Sequence, residues 1–421
     1  MHFTVIFLSK NFHISKIFVN FALVFKTNAL MKQLDKKTRS SVIYITLHAR
    51  DIFKKLRWKD GLKCPYCGET HIWHFANGGY KCSHCGKKFT DTSNTPFHST
   101  KMPIAYWLIA MYLQAMDSGI SSQRLSCLLQ ITQKSAWYML HSLRDSYSQE
   151  ATILSGDVAV DEVYLGGKWS NIIIPKKINI LKQYNLWYEG DVRRTWHKKN
   201  IRRAISEYKQ PVYGMNDGER IVLQALPHRF NSADILEITQ SHSGGNIKHL
   251  ISDQAAYYKD ILDAGMDVIQ MNHSKGEFRN GDYSSNRIEG TFSHLKRRYR
   301  CHYVRPNKKY IQLYLNEFVF RWNNRDADVM DRLASGMAFC VTRGRVTHKD
   351  IDNYKWDKKF AQRKPKRRET LEDWFELGWP DCVASLEVQG VVYTKEEFER
   401  LKAIWEAKQD LWHIDESELV F

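Results

Sequence analysis

The chain has 421 residues, 43% of them hydrophobic, with a formal net charge of +17 and a pI of about 9.3. That length allows two or three domains and that composition implies a real core rather than a disordered chain. So basic a surface points to a polyanion as partner, nucleic acid first, with general solubility or membrane adhesion as the plainer readings. Of the eight cysteines, four stand in two close pairs and Cys127, Cys301, Cys340 and Cys382 are scattered. That usage fits a metal site in a reducing compartment and argues against a disulfide framework.

Residues 1–57 form a lead-in. The first thirty are apolar and aromatic with three lysines, but no apolar run reaches bilayer length. No small-residue cleavage site follows an apolar stretch, so a signal peptide is not indicated. A start placed too early, with Met31 opening the ordinary sequence, accounts for the segment as well as any function does. Residues 31–63 read as a short helical entry.

Residues 58–98 hold Cys64-Pro-Tyr-Cys67-Gly and Cys82-Ser-His-Cys85-Gly. Two residues between cysteines let both sulfurs reach one ion, and the following glycines permit the positive φ of such knuckles. Cys64, Cys67, Cys82 and Cys85 together make a closed, structural Zn²⁺ site, with His71 and His84 surplus to it. Lys87, Lys88 and Lys101, with Tyr80 and Phe89, make either a DNA-facing surface or a solvated rim.

Residues 99–150 read as a helical DNA-binding region. Trp107, Leu108, Met111 and Tyr112 fall on one helical face. GISSQRLSCLLQITQKSAWYMLHSLR reads as two short helices about a tight turn, either a helix-turn-helix or a plain helical hairpin. In it Leu125, Leu128 and Leu129 would face Ala136, Trp137, Leu140 and Leu143. Thr132 is placed to cap the second helix, which puts Gln133, Lys134 and Ser135 at its start, where recognition helices meet DNA.

Residues 151–325 mix strands and helices, with a basic stretch of about 168–210 that reads as an insertion. DVAVDEVYL alternates as a strand, PVYGMNDGER and IVLQAL form a hairpin through Asn-Asp-Gly, and ADILEITQSH is a helix. HLISD and DVIQMNH are strands, and RIEGTFSHLKRRY and YIQLYLNEFVFRWNN are helices. This is the element order of the ribonuclease H-like fold: an α/β domain, a mixed sheet flanked by helices, preceded by a zinc ribbon and a helix-turn-helix-like region. Residues 326–421 form a basic linker and C-terminal extension, in which Lys358 to Arg368 is either a solvated linker or an extra DNA contact.

Three acids stand at element ends: Asp161 near the end of the first strand, Asp253 closing HLISD, and Glu289 in the first turn of a helix. Phosphodiester transfer needs an activated hydroxyl on one side and a stabilised leaving oxygen on the other, which two Mg²⁺ (or Mn²⁺) ions held by a few carboxylates supply. Lys296 follows Glu289 by two helical turns and can hold a phosphate, and Arg297, Arg298 and Arg300 extend the positive face. Each acid also has an ordinary reading: Asp161 a solvated strand end, Asp253 a helix cap, and Asn286 with Glu289 a capping box.

CPYCG…KCSHCGKKFT, DEVYLGGK, PVYGM, ISDQAAYY, NRIEGTFSHLKRR and YLNEFVFRWNNR, over about residues 58–325, resemble the bacterial insertion-sequence transposases of the DDE type that carry an N-terminal zinc ribbon. The resemblance implies a metal-dependent DNA transposase that binds element ends, cuts and joins strands, and works cytoplasmically on the nucleoid as a homodimer or larger assembly. It places the first acid at Asp161 and the second at Asp253. The third, described variously in the family as Glu, Asn or His, is contested between Glu289 and Asn286, with Lys296 as the companion lysine. The insertion after Gly167 is longer than the resemblance leads one to expect, and the tail beyond about 326 has no counterpart there. A transposase-derived DNA-binding protein without turnover and a metal-dependent nuclease are the alternatives, and no membrane role is expected.

Overall fold

The longest strand, β4 (Gly156–Leu165), is central because it is buried on both faces: Val158, Ala159 and Val160 are all inaccessible. The computed structural model describes residues 34–76, 78–116, 119–167, 169–183, 185–190, 195–227, 230–253, 261, 265–271, 279–280, 283–284, 286–303, 306–357, 385–388 and 391–412. The apolar N-terminal segment, residues 254–260 after Asp253 and the basic run 358–368 lie outside these. Two compact units are present, divided between Trp356 and Asp357.

In chain order the first unit begins with α1 (Lys36–Arg57) and the small strands β1 (Ile72–His74), β2 (Tyr80–Cys82) and β3 (Lys88–Phe89). Helices α2 (Ile104–Ala115), α3 (Ser122–Leu129) and α4 (Gln133–Ser146) lead to β4. Then follow α5 (Ile174–Gln183), α6 (Lys198–Tyr208), β5 (Gln210–Asn216), β6 (Ile221–Ala225), α7 (Ser232–Ser243), β7 (Ile247–Asp253) and β8 (Val268–Met271). A short pair, β9 (Arg279–Asn280) and β10 (Tyr283–Ser284), precedes α8 (Asn286–Cys301), α9 (Ile311–Asn323), α10 (Val329–Arg343) and α11 (His348–Asp352). The second unit contains the hairpin β11 (Ser385–Val388) and β12 (Val391–Thr394), then α12 (Lys395–Trp412), started by a reciprocal bond pair between Thr394 and Glu397.

The main sheet has five strands in the order β6-β5-β4-β7-β8, antiparallel on the β5 side of β4 and parallel on the β7 side. With helices on its faces this is the ribonuclease H-like arrangement. The β5–β6 hairpin turns through Gly218 at φ +101°, while Asp217 accepts from the backbone of Glu219 and Arg220. Helix α7 starts on a capping box of Asn231 and Asp234. One face of the sheet, with Ala159, Val163, Val212, Ile251 and Met271, forms a core with Ile288, Phe292 and Leu295 of α8.

Strand β6 is an edge, and its free backbone groups are satisfied by amides from elsewhere. Gln149 accepts from Leu223 N–H at 2.8 Å and donates to its carbonyl at 2.9 Å. Gln312 accepts from Ala225 N–H, and Asn323 bonds both backbone groups of Ile221. Since buried backbone groups must be paired, this explains why the apolar stripe of α9 carries buried Gln312 and Asn316.

A second core joins α1, α2, α3 and α4 to α10. Helix α2 differs from the one-faced helix expected: every residue from Trp107 to Ala115 is buried, because α1, α4 and α10 all pack on it. Trp137 also differs. It stacks on His141 at 3.9 Å and meets Tyr310 edge-on, while Met139 takes the core position. Of the residues read as C-terminal extension, Val329–Asp352 belong to the first unit and pack on α2 and α4. The two cores are tied through Glu317 of α9, 1% exposed, which accepts from Arg144 at 2.6 Å, Arg321 at 2.9 Å and Gln114 at 3.0 Å.

Candidate functional site

The zinc ribbon is built by two knuckles. Gly68 at φ +80° and Gly86 at φ +67° turn the chain so that their N–H groups donate to the carbonyls of Cys64 and Cys82. The four sulfurs of Cys64, Cys67, Cys82 and Cys85 lie within 4.8 Å of one another, with Cys64–Cys85 at 3.6 Å and Cys67–Cys82 at 3.5 Å. Zinc–sulfur bonds of about 2.3 Å in a tetrahedron place sulfurs about 3.8 Å apart, so the cluster fits one structural zinc ion. Burial works against ionising the Cys82 thiol, but the Cys85 backbone N–H and the Cys67 thiol outweigh it and bring it down to about 7.

The ribbon's surface differs from the expected pairing of lysines with Tyr80 and Phe89. Both of those rings are buried beside Trp58, where Asp91 accepts from the Trp58 indole and the Tyr80 hydroxyl. The exposed rings are Tyr66, Trp73 and Phe75, covered by Lys87 at 4.9 Å, Lys81 at 5.2 Å and Lys88 at 5.9 Å. Period-two alternation in β2 carries part of the signal that spacing alone missed: Lys81 lies between the buried Tyr80 and Cys82, and its register partner is Trp73, whereas Tyr66 and Phe75 lie outside the strands.

In the helical region the turn between α3 and α4 passes through Gln130 at φ +51°, and Thr132 accepts from Ser135 N–H at 3.1 Å as the cap. Gln133 and Lys134 are exposed, and Gln133 donates to Ser122 at 2.8 Å. Ser135 and Lys101 line a cleft of about 480 Å³ with Tyr138, Arg345 and His348.

The larger cleft, about 590 Å³, lies between the end of β4 and α8 and includes Asp161, Glu289 and Lys296. Asp161 shares the face of Ala159, Val163 and Leu165, which α8 covers, and one of its carboxylate oxygens accepts from Glu162 N–H at 2.7 Å. On β5 its register partner is Gly214, where an added Cβ would lie 2.6 Å from Phe292. Glycine there lets α8 approach the sheet beside Asp161. Asp253 ends β7, paired with Met271. Ala159 is level with Ile251 at the end of the parallel β4–β7 ladder, so Asp161 and Asp253 each lie two residues further on along neighbouring strands.

Asn286 is the first residue of α8 rather than the residue capping it, and it does not line the cleft. Arg297 and Arg298 also lie off the cleft, whereas Arg300 lines it. Lys209, which sequence reasoning did not single out, joins the lining from the residue before β5. Its signal is topological: Leu165 pairs with Gln210, so whatever precedes Gln210 returns to the end of β4. The cleft thus sets carboxylates, the ligands of hard divalent cations, beside ammonium and guanidinium groups, the ligands of phosphate.

Residues 153–323 match the ISXO2-like transposase domain, and residues 47–88 match the transposase zinc-ribbon domain. The chain belongs to the insertion-sequence transposases with an N-terminal zinc ribbon. A relative, described as an uncharacterized protein in transposable element ISH50 of Halobacterium salinarum, is 22% identical over 289 residues, which is 65% of this chain and 89% of the relative. The transposase domain match spans β4 to the end of α9 and so contains Asp161, Asp253, Glu289 and Lys296. Among the described residues no helix is long and apolar enough to cross a membrane.

Proposed function

We propose that this transposase binds the ends of its insertion sequence and catalyses metal-dependent strand cleavage and strand transfer. The observation that carries the reading is the single cleft in which Asp161 of β4 meets Glu289 and Lys296 of α8. Asp161, Asp253 and Glu289 are the proposed oxygen ligands of two magnesium or manganese ions. Such ions, when bound, stabilise charge on the attacking and leaving oxygens of the phosphodiester. Lys296, Lys209 and Arg300 hold the phosphate beside them, and the bond from Glu162 N–H fixes the orientation of the Asp161 carboxylate. The ribbon, through Tyr66, Trp73 and their lysines, and Gln133, Lys134 and Ser135 of α4 supply DNA contacts. The protein works in the cytoplasm, as a dimer or larger assembly on the DNA.

The test uses a plasmid carrying the inverted repeats that flank the gene, the purified full chain and Mg²⁺. Cuts at the repeat ends and joined products are expected, both abolished in Asp161→Ala while DNA binding persists. Absence of end-directed cleavage with Mg²⁺ and with Mn²⁺ overturns the proposal, and cleavage without joined products reduces it to a nuclease.

A further inference from the structure

Residues 168–209 contain eleven Lys and Arg against three Asp and Glu, a net of +8 out of the chain's +17 in a tenth of its length. The segment is not a loose loop. Ile180, Leu181, Leu186 and Ala204 are buried in a cluster of their own, with Trp169, Ile172, Trp187, Trp196 and Tyr208 packed around them. The Thr195 hydroxyl, 1% exposed, closes the link between α5 and α6 by bonding both backbone groups of Tyr188. A segment with its own core is a folded subdomain, not a solvated linker.

Its attachment is narrow. The chain leaves after Leu165 and returns at Gln210, two residues paired across β4 and β5. The neck is closed by Lys209, whose Cγ lies 2.9 Å from where a Cβ on Gly166 would be. Gly166, Gly167 and Lys209 line the same cleft as Asp161 and Glu289. The subdomain therefore stands on the rim of the proposed active site.

Among the described residues five of its cations face outward. Lys176, Lys182, Lys198, Lys199 and Arg202 are exposed, and Lys182 sits over Trp187 at 5.5 Å. Cations interleaved with aromatic rings on a folded element are the footprint of nucleic-acid binding. A second copy of the same face would meet this one with like charge.

We propose that residues 168–209 form a DNA-holding subdomain that grips the duplex flanking the phosphodiester in the Asp161–Glu289 cleft. The inference deepens the transposase reading and rests on it for the position of the DNA. Ile173 and Ile174, 69% and 62% exposed, stand at the start of α5 beside Lys176. They are the feature that a protein partner would use instead.

The experiment titrates the full chain with a mixed-sequence DNA duplex over a range of salt, comparing the parent with K198Q/K199Q/R202Q. Every cation removed from a phosphate lowers the slope of log K against log salt by about 0.9, so three lower it by about 2.7. Between about 50 and 200 mM salt the affinity of the variant then falls roughly 40-fold less than that of the parent. The side chains replaced are exposed, and an unchanged thermal melt shows that the fold is kept; K176Q/K182Q on α5 serves if it is not. An unchanged slope in a folded variant overturns the proposal. So does a change of oligomeric state in I173S/I174S with the DNA slope intact, which assigns the face to a second copy. If the parent binds with its full slope yet never cleaves, the transposase reading fails while the subdomain's hold on DNA stands.

Discussion

Glu317→Ala tests the junction between the helical region and the sheet. The carboxylate is buried, its Oε2 accepting from Arg144 and Gln114 and its Oε1 from Arg321 and the Tyr303 hydroxyl at 3.3 Å. Both arginine side chains are only 5% exposed, so the substitution removes the countercharge of two guanidinium groups that water cannot reach. Breaking a buried pair from one side costs about 3–5 kcal/mol. At roughly 2–3 °C per kcal/mol, that lowers the melting temperature by about 6–15 °C. Far-ultraviolet circular dichroism during heating and urea titration both read the change. Arg144→Met with Glu317→Leu, which removes the pair from both sides at similar volume, should recover part of the loss. A Glu317→Ala protein within about 1 kcal/mol of the parent would falsify the claim that this carboxylate joins the two cores.

Gly214→Ala sets a methyl against Phe292 and lifts α8 from the sheet, so cleavage should fall about a hundredfold while Asp161 stays in place; parental cleavage would sink the packing argument. Burial, then Arg144, push the His141 imidazole down to about 2, so the folded chain keeps it neutral while the unfolded chain takes a proton below about 6.5. The resulting stability is full above about 6.5 and is lost as pH falls toward about 2, by about 1.4 kcal/mol per pH unit. His141→Phe keeps the ring stack and should flatten that limb, as followed by urea unfolding at several pH values; an unchanged limb would count against the assignment. Metal analysis should find about one zinc per chain, absent in Cys82→Ser together with the folded ribbon, and a zinc-free folded ribbon would refute the site.

Local chemistry is readable where it is carried by neighbours in the chain. The two CxxCG knuckles, the Asn-Asp-Gly hairpin, the Thr132 cap and the strand end at Asp253 each depend on a few adjacent residues, whereas Asp161, expected near a strand end, lies mid-strand in β4. What stays hidden depends on pairing across distance. Gly214 looks like any strand glycine until its register with Asp161 and the approach of Phe292 are known. Arg144 and Glu317 are 173 residues apart, and no periodicity links them. Helix α2 shows a plausible single apolar face, but its environment is set by α1 and α10, which come from the start and the later part of the unit. In the ribbon, nearness to lysines along the chain points to Tyr80 and Phe89, whereas packing against Trp58 buries both of those rings and leaves Tyr66, Trp73 and Phe75 to water.

The proposed third acid rests on the packing of α8. Asn286 and Glu289 are one turn apart, and the sequence favours Glu289 because it shares a helical face with Lys296. Ile288, Phe292, Leu295 and Tyr299 form the buried stripe of α8, recurring at helical intervals. With that stripe against the sheet, Glu289, Ser293, Lys296 and Arg300 form the adjoining one, and all four line the cleft. Asn286 falls further round, with Gly290 and Arg297, on the side away from the buried stripe. A carboxylate also offsets the charge of two divalent ions, which a neutral amide oxygen does not. Glu289→Ala should therefore abolish cleavage and strand transfer on the flanking-repeat plasmid while leaving DNA affinity unchanged. Asn286→Ala, made in parallel, should retain measurable cleavage. An active Glu289→Ala beside a folded but inactive Asn286→Ala would move the third ligand to Asn286 and show that α8 is rotated on the sheet when metal binds.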